Sequence, residues 1–295
     1  MMAFGLRQED IELPQGAWAA GGRSWLCWHD KPVLGFTQGA FRPYVFPVHT
    51  PAGFALTSES PADHPHHHSI WVGADHVDLH VPAGPKTEVY SYNFYVNDVF
   101  QGRAPGRIVQ QRIDHQAKGD SMAVLQQLLW RGPREWGAPE GREVLTELRT
   151  TRIRHLPQHQ AFQLEITSRL TAPIHPIRIG PTRHAWFNAR VAAAMSPLQG
   201  GEGRSAGTLP WRACTGSVGG GHVATLAIAP WPLGTPCDWY ISPWGVMTAN
   251  PCLNEPLFMQ PGAAALTLGA RLLVCDGRPS DEDIQQALSE PASDG

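Results

Sequence analysis

The sequence lacks the features that mark several large classes of protein. Charged side chains make up only 17% of the 295 residues, the formal net charge is -3, and no run of lysine or arginine is present. Such a chain offers no basic face to nucleic acid or to an anionic membrane. No apolar run approaches the roughly 20 residues that a membrane-spanning helix needs. We therefore expect neither nucleic acid nor a membrane among its partners.

Cysteine is scarce and scattered along the chain. The five cysteines, at positions 27, 214, 237, 252 and 275, are odd in number and form no C-x-x-C pair. This pattern argues against a disulfide framework and against a zinc site built from cysteines. Residues 1–16 contain no apolar segment of the kind found in secretory signals. Reduced thiols and the absence of a signal predict a cytoplasmic protein.

Familiar catalytic motifs are missing as well. The chain contains no G-x-S-x-G elbow, no phosphate-binding P-loop and no H-E-x-x-H zinc motif. The glycine-rich run 216–221 does not match the dinucleotide-binding fingerprint, and a turn explains it. Any active site must therefore be sought in residues that no common motif covers.

Turn-forming residues and short alternating segments are abundant. The chain has 30 glycines and 27 prolines, which break helices, beside 11 tryptophans. Phe162 to Leu170 alternates apolar and polar positions, as expected of a strand with one buried face and one solvated face. By contrast, 76–85 is expected to be a loop. Further strand-like runs cover 69–73, 89–96, 120–130, 144–154, 173–193, 223–229 and 266–275.

Only the C-terminal region predicts a helix. Ser280 can cap its start, Asp283 stands at the capping-box position, and Asp281 and Glu282 suit the positive end of the helix dipole. One helix beside a dozen or more strands predicts an all-β protein. We expect one large antiparallel β-sandwich with a short C-terminal helix, forming a single domain over residues 1–295.

One histidine-rich stretch is the first candidate for a functional site. Six of the 14 histidines lie between His64 and His80, and the densest part reads Asp63-His64-Pro65-His66-His67-His68. Histidine titrates nearest to neutral pH and is a common metal ligand, so core packing alone hardly explains this density. We expect the stretch to line a pocket. The alternative is a loop whose histidines only hydrogen-bond their neighbours.

The sequence leaves two kinds of chemistry open for this stretch. If 66–69 is extended, His66 and His68 point to one side, which suits two ligands of one divalent metal ion. Without a metal, the same groups would serve as general acid, general base and oxyanion donors. The pattern His76-Val77-Asp78 also allows the two-histidine, one-carboxylate iron site of oxygenases, although three residues match by chance often. A third metal ligand could come from Asp63, His76, Asp78 or His184.

The segment 180–190 is the second candidate. In an extended chain His184, Trp186, Asn188 and Arg190 share one face. Arginine binds pairs of oxygens and tryptophan offers a flat apolar surface, so this face would suit a polyhydroxylated or carboxylated ligand. An ordinary solvated sheet face is the alternative.

Several motifs are similar to those of a known family. The motifs are Arg42-Pro43-Tyr44-Val45-Phe46-Pro47, Thr50-Pro51-Ala52-Gly53, Asp63-His64-Pro65-His66-His67, Ile228-Ala229-Pro230-Trp231-Pro232, Trp239-Tyr240-Ile241-Ser242-Pro243-Trp244-Gly245 and Ala249-Asn250-Pro251. With these motifs, nearly the whole chain resembles the bacterial "methane oxygenase PmoA-like" family.

The resemblance implies a soluble supersandwich like those of galactose mutarotases and polysaccharide-processing enzymes, among relatives in sugar catabolism. That family usually has arginine at the position of His68 and an acidic or small residue at that of His184. It therefore carries over His64, His66 and His67 as site residues.

These observations predict an enzyme that acts on a sugar or sugar-derived ring by hydrolysis, elimination or epimerisation. The expected partner is a small-molecule substrate, and a homo-oligomer is left open. Two alternatives stand beside this reading, namely a metal-dependent oxygenase of a small organic substrate and a non-catalytic ligand-binding module. The predicted residues are His64 and His67 as proton carriers, Asp63, Trp71, Arg183, Asn188 and Arg190 as substrate ligands, and His66 and His184 as ligands of a divalent metal ion, if one is bound.

This hypothesis requires two distant segments to meet. His64 and His184 must lie within reach of one substrate, and a separation of more than about 15 Å would exclude a shared site.

Overall fold

The protein is built mainly from strands, as predicted. The structure, a computed structural model, describes residues 3–10, 19–204 and 210–291. Within these ranges it is an all-β sandwich of large antiparallel sheets with one short C-terminal helix. None of the helices in the described ranges has the length and apolar character needed to cross a bilayer.

The first half of the chain contributes the strands β1 to β10. They are β1 (Phe4–Asp10), β2 (Ala19–Trp28), β3 (Lys31–Gly39), β4 (Pro43–Val48), β5 (Ile70–Ala74), β6 (Val77–Ala83), β7 (Lys86–Asn93), β8 (Ala104–Pro105), β9 (Arg107–Lys118) and β10 (Ser121–Arg131).

The second half contributes β11 to β21 and the helix α1. They are β11 (Glu143–Leu156), β12 (Ala161–Thr171), β13 (Ile177–Ile179), β14 (Ala185–Arg190), β15 (Glu202–Arg204), β16 (Arg212–Gly219), β17 (His222–Pro230), β18 (Asp238–Ile241), β19 (Val246–Asn250), β20 (Leu257–Met259), β21 (Leu266–Asp276) and α1 (Asp281–Ser289). Short 3-10 turns cover Pro157–His159, Ala193–Met195 and Pro197–Gln199.

The first sheet carries the candidate site. It has eight strands in the order β1-β2-β3-β4-β5-β14-β19-β18. Residues directly opposite one another on neighbouring strands share a face of the sheet. One such row crosses five strands and consists of Tyr44, Trp71, Asn188, Thr248 and Tyr240. This row brings together residues that are far apart in the sequence.

The second sheet packs behind the first, with the order β15-β16-β17-β21-β12-β11-β10-β9. In β12 the predicted alternation is confirmed, since Phe162 and Leu164 are fully buried in the core. The prediction of a solvated opposite face is wrong at Gln163, which is only 3% exposed. The helix α1 covers this side chain, which donates a hydrogen bond to the Ala287 carbonyl over 2.5 Å.

The third sheet corrects one sequence prediction. Its order is β20-β13-β6-β7-β8, and β6 lies where 76–85 was expected to be a loop. Val77 and Leu79 are fully buried, and they alternate with the partly exposed Asp78 and His80. This alternation has the period of a strand. The sequence therefore contained the strand pattern, but over too few residues to distinguish it from a loop.

Apolar residues from all three sheets form the main core, for example Leu34, Leu79 and Leu164. A separate aromatic cluster lies on the other face of the first sheet, around Tyr44 and Trp71. The two clusters are separate because successive side chains of a strand point to opposite faces of the sheet. Val45, Ile70 and Val72 join the main core, whereas Tyr44 and Trp71 beside them point to the other face. This second face is the floor of the candidate site.

Candidate functional site

The histidine-rich stretch is a series of turns. The His64 amide donates to the Pro61 carbonyl over 3.0 Å, and the His67 amide donates to the His64 carbonyl over 3.0 Å. Pro61 and Pro65 have no N–H to donate to a sheet. The predicted H-x-H arrangement on an extended strand is therefore wrong, and each histidine of the stretch has its own environment.

Four rings of this region form one continuous stack. Trp244 lies 5.1 Å from His64, His64 lies 4.7 Å from His67, and His67 lies 5.1 Å from Trp71, measured between ring centroids. Interplanar angles of 12°, 1° and 24° show that the rings are close to parallel. The stack fixes His64 at the surface and His67 below it.

His67 is poorly placed for the proton transfer predicted for it. Its ring is only 4% exposed. Burial, followed by the neighbouring His66, His64 and Arg190, holds the pKa of His67 far below its ordinary value. Its Nδ1 lies 3.4 Å from Nη1 of Arg190. A ring that stays neutral and wedged in a stack positions its neighbours, and we assign His67 that task.

Asp63 and His64 form a carboxylate–histidine pair at the rim. His64 Nδ1 lies 2.9 Å from Asp63 Oδ2, and Arg190 Nη2 donates to both carboxylate oxygens over 3.0 and 2.9 Å. Burial alone would raise the pKa of Asp63, but the hydrogen bonds from His64 and Arg190 lower it. An ionised carboxylate only accepts, so His64 donates from Nδ1, and its Nε2 makes no hydrogen bond within the described residues. Arg190, predicted to bind substrate, is thus engaged by Asp63.

A second carboxylate lies at the opposite end of the site. Asp75 is 1% exposed and accepts at Oδ2 from His184 Nδ1 over 2.9 Å. Its Oδ1 accepts from His76 Nδ1 over 2.6 Å and from the Thr182 hydroxyl. Burial alone would raise the pKa of Asp75, but these three hydrogen bonds lower it. Asp75 is therefore an ionised group to which two histidines are bound.

The two histidines on Asp75 have matching hydrogen bonds. His184 Nε2 accepts from Arg183 Nε over 3.1 Å, and His76 Nε2 accepts from Arg103 Nη2 over 2.5 Å. Guanidinium groups only donate and an ionised carboxylate only accepts. Each ring therefore carries its proton on Nδ1 and a lone pair on Nε2, which is the form of a base that a carboxylate holds in position.

Tyr95 connects the two ends of the site. Its ring lies 5.9 Å from that of His66 and 5.0 Å from that of His184, and His66 lies 5.8 Å from His64. The structure therefore brings the two predicted segments together. Tyr95 itself is buried, which raises the pKa of its phenol, and its hydroxyl donates to Asn188 Oδ1 over 3.4 Å.

His66 lies between the two pairs and is only partly buried. Within the described ranges its ring makes no hydrogen bond, so its nitrogens are free for a ligand. Burial first, and then the neighbouring Arg42, His64 and His184, lower the pKa of His66 to about 3. It offers a neutral ring to whatever binds in the site.

Arg42 lies beneath the histidines and is 1% exposed. It donates to the carbonyls of Phe94 and His66 over 3.2 and 3.1 Å, and to Asn97 Oδ1 over 2.7 Å. Burial lowers its pKa to about 10, so it remains charged at neutral pH. Its hydrogen bond to the His66 carbonyl ties the histidine-rich turns to the sheet.

His68 belongs to this lower layer. Its Nδ1 lies 3.0 Å from the Ser60 hydroxyl, and its ring stacks on Tyr44 at 4.7 Å. Burial, followed by the neighbouring Arg42 and His66, lowers the pKa of His68 to about 3. His68 is a packed structural histidine.

The donors do not fit the predicted metal site. In the part of the chain that the structure describes, no three His, Cys, Asp or Glu side chains are grouped so that they could hold a metal ion. His184 uses both ring nitrogens for Asp75 and Arg183 and is separated from His66 by Tyr95.

The predicted iron site does not form either. His76 hydrogen-bonds to Asp75, whereas Asp78 pairs with Arg178 over 3.1 Å. These two side chains therefore have different partners and do not converge on one ion.

The remaining predicted residues have different fates. Trp71 lies under His67 as part of the floor. Asn188 is committed to the framework, since its amide donates to the carbonyls of Trp71 and Trp186 over 3.3 and 2.8 Å. The predicted shared face of 184–190 is wrong at Trp186, which packs in the main core and stacks on Trp130 at 5.2 Å.

Sequence reasoning missed Asp75, Tyr95, Arg42 and Trp244 as site residues. For Asp75 a signal existed, because it directly precedes a histidine at the end of the strand β5. Nothing in the local pattern distinguished Tyr95 from the other aromatic residues near it.

The model of a family of unknown function, DUF6807, matches residues 20–289. The chain belongs to this family. The matched DUF6807 region contains both carboxylate–histidine pairs, Tyr95 and Arg42. A comparison with curated proteins finds no match.

Proposed function

We propose that this protein is an acid/base enzyme that acts on a sugar or sugar-derived ring. The observation that carries the proposal is the presence of two carboxylate–histidine pairs in one site, Asp63–His64 and Asp75–His184, on either side of Tyr95. Hydrolysis, elimination and epimerisation all require one group that removes a proton, from the substrate or from an attacking water, and one group that delivers a proton to the substrate. Two oriented histidines supply one group for each transfer.

The Asp75–His184 pair is the better candidate for the base. Asp75 is buried and ionised, and it holds the proton of His184 on Nδ1. The lone pair on Nε2 of His184 is then aimed away from the carboxylate. The negative charge of Asp75 would stabilise the imidazolium that forms when His184 takes up a proton. Arg183, which now donates to Nε2, is exposed and can move to the substrate.

The Asp63–His64 pair is the candidate for the acid. The His64 side chain is 32% exposed and is held flat between Trp244 and His67. When His64 is protonated it also carries a hydrogen on Nε2, which makes no hydrogen bond within the described residues, and this hydrogen can pass to a leaving group while Asp63 accepts from Nδ1. The same pair could exchange tasks with Asp75–His184 in the reverse direction.

The aromatic floor supports a ring-shaped, partly apolar substrate. Trp71, Trp244, Tyr95 and Tyr240 surround the histidines. Small-molecule sites usually combine such apolar walls with a few placed polar groups. Sugar rings have apolar C–H faces and polar edges, and so match this combination.

The test is proton exchange with solvent. Aldoses, sugar lactones and sugar acids would be incubated with the protein in deuterated water, and deuterium in the ring and product formation would be followed by NMR. His184→Gln and His64→Gln should each lower the rate by about 10²-fold or more. His115→Gln, in an exposed position of β9, is the matched control and should have no effect.

Turnover that survives both substitutions would overturn the proposal. Binding of a sugar with no exchange and no product would favour a non-catalytic ligand-binding module instead.

A further inference from the structure

The site contains more positive charge than negative charge. Arg190 is neutralised by Asp63, with two hydrogen bonds to its carboxylate. Three other arginines around the site, Arg42, Arg103 and Arg183, have no ion pair with a carboxylate in the described part of the chain. Asp75 is the remaining carboxylate in this network. The chain as a whole has a net charge of -3, so this excess is a local property.

Arg42 contributes a permanent charge below the site. Its partners are two carbonyls and an amide oxygen, all neutral. A buried cation without a counter-ion produces a field that water screens poorly, and such a field attracts anions to the adjoining surface. His66, whose carbonyl Arg42 holds, lies directly in this field.

Arg103 adds a second charge at the Asp75 end of the site. It is partly buried and donates to two neutral acceptors, His76 Nε2 over 2.5 Å and Gln101 Oε1 over 3.2 Å. It therefore compensates the single charge of Asp75, so that Arg42 and Arg183 have no counter-ion among the described residues.

Arg183 has the geometry of a ligand-binding arginine. It is exposed, its guanidinium carbon lies 5.5 Å from the ring centroid of Tyr240, and only its Nε is engaged, by His184. In the described part of the chain its two terminal nitrogens make no hydrogen bond. Paired N–H groups of this kind bind a carboxylate with two parallel hydrogen bonds.

We propose that the substrate carries a carboxylate, so that the ring bound in this site is a sugar acid held by Arg183 over the field of Arg42. The location of the ligand rests on the proposed function, whereas its charge rests on these arginines alone. A carboxylate on Arg183 would place the adjoining carbon of the substrate next to Nε2 of His184. Arg190, already engaged by Asp63, would contribute little to the binding of the anion.

The experiment compares each acid with an uncharged counterpart of the same shape. Isothermal titration calorimetry would measure binding of the ring-forming acids D-glucuronate and D-galacturonate, and of the methyl esters of these two acids. At low salt we expect at least one acid to bind about tenfold or more tightly than its uncharged counterpart, and added salt should reduce the difference. Arg183→Gln should abolish the preference, whereas Arg112→Gln, an exposed surface change, should leave it intact.

The proposal is overturned if no acid binds more tightly than its counterpart, or if the preference is the same in the Arg183→Gln protein. Failure of the proposed function would look different. Tighter binding of an acid without proton exchange or product would support the proposed carboxylate ligand and contradict the proposed enzymatic function. Proton exchange on uncharged sugars alone would support the enzymatic function and contradict the proposal that the substrate carries a carboxylate.

Discussion

His184 donates its Nδ1 hydrogen to Oδ2 of the buried Asp75 over 2.9 Å, across 109 positions of the sequence. The same carboxylate accepts from His76 over 2.6 Å, so one negative charge determines the tautomers of two rings. Each ring then accepts at Nε2 from an arginine. The chemistry that we propose for the site depends on this arrangement.

Asp75→Asn should lower the turnover rate by about 10²-fold or more. An asparagine side chain donates as well as accepts, so one histidine must turn or change its tautomer. The measurement is the rate across a range of pH, since a change in the pH profile separates a loss of orientation from a general loss of structure. Asp114→Asn, in an exposed ion pair on β9, is the control. An unchanged rate and profile in Asp75→Asn would contradict the assignment.

Arg42→Met should lower the free energy of unfolding by about 3 kcal/mol, because it leaves the carbonyls of Phe94 and His66 and the Asn97 side chain without their donor. Urea denaturation measures this loss. Arg112→Met, at an exposed position, should change the free energy of unfolding by less than about 0.5 kcal/mol. Equal effects of the two substitutions would show that Arg42 does not anchor the histidine-rich turns.

Stability should fall in mild acid because three histidines are held neutral. The ordinary pKa of histidine is 6.5, and burial lowers the pKa of His66 and of His68 to about 3 and lowers that of His67 as well. Between these values the unfolded chain binds protons that the folded chain does not. The stability is therefore fully present above pH 6.5 and decreases as the pH falls towards 3.

Each of the three histidines contributes a slope of up to about 1.4 kcal/mol per pH unit in that window. Asp63 and Asp75 have lowered pKa values and act only below their ordinary value of 3.8, so they do not offset this loss. Urea denaturation at about pH 7.5 and about pH 5 measures the slope, which should decrease in His67→Gln and not in His115→Gln. Identical free energies of unfolding at the two pH values would contradict the prediction that His66, His67 and His68 stay neutral in the folded protein.

Metal content should be below stoichiometric in untagged protein purified without added metal. Both ring nitrogens of His184 are engaged in hydrogen bonds. In the described ranges no three His, Cys, Asp or Glu side chains are grouped so that they could hold a metal ion. Mass spectrometry of the protein beside a His66→Ala, His67→Ala variant gives the answer. One ion per chain that is lost in the variant would show that these rings rearrange around a metal.

Ser280→Ala should cost about 1 kcal/mol of stability, because both hydrogen bonds of the capping box at the start of α1 involve Ser280 and Asp283. Thermal or urea unfolding measures the change. Ser121→Ala, at the partly exposed start of β10, serves as a comparison. A negligible effect of Ser280→Ala would mean that packing alone holds α1.

Local patterns were enough for the fold class. Alternation in Phe162 to Leu170 and the capping signal at Ser280 both correspond to elements of the structure. The short strand β6 was missed because a few alternating residues beside a histidine look the same in a loop. The DUF6807 family model matches residues 20–289, which include these elements. Because the function of this family is unknown, the chemistry has to be argued from the residues of the site.

The sequence by itself determined that the chain forms β-sheets and that the histidines around position 64 are concentrated in one segment. Periodicity and composition are local, so they can be read along the chain. Only the tertiary structure decided that Tyr95 joins His66 to His184, that Asp75 orients two rings, and that Arg42 is buried against neutral hydrogen-bond acceptors. The protonation, tautomer and accessibility of a histidine depend on the groups that surround it in space, and these come from strands far apart in the sequence.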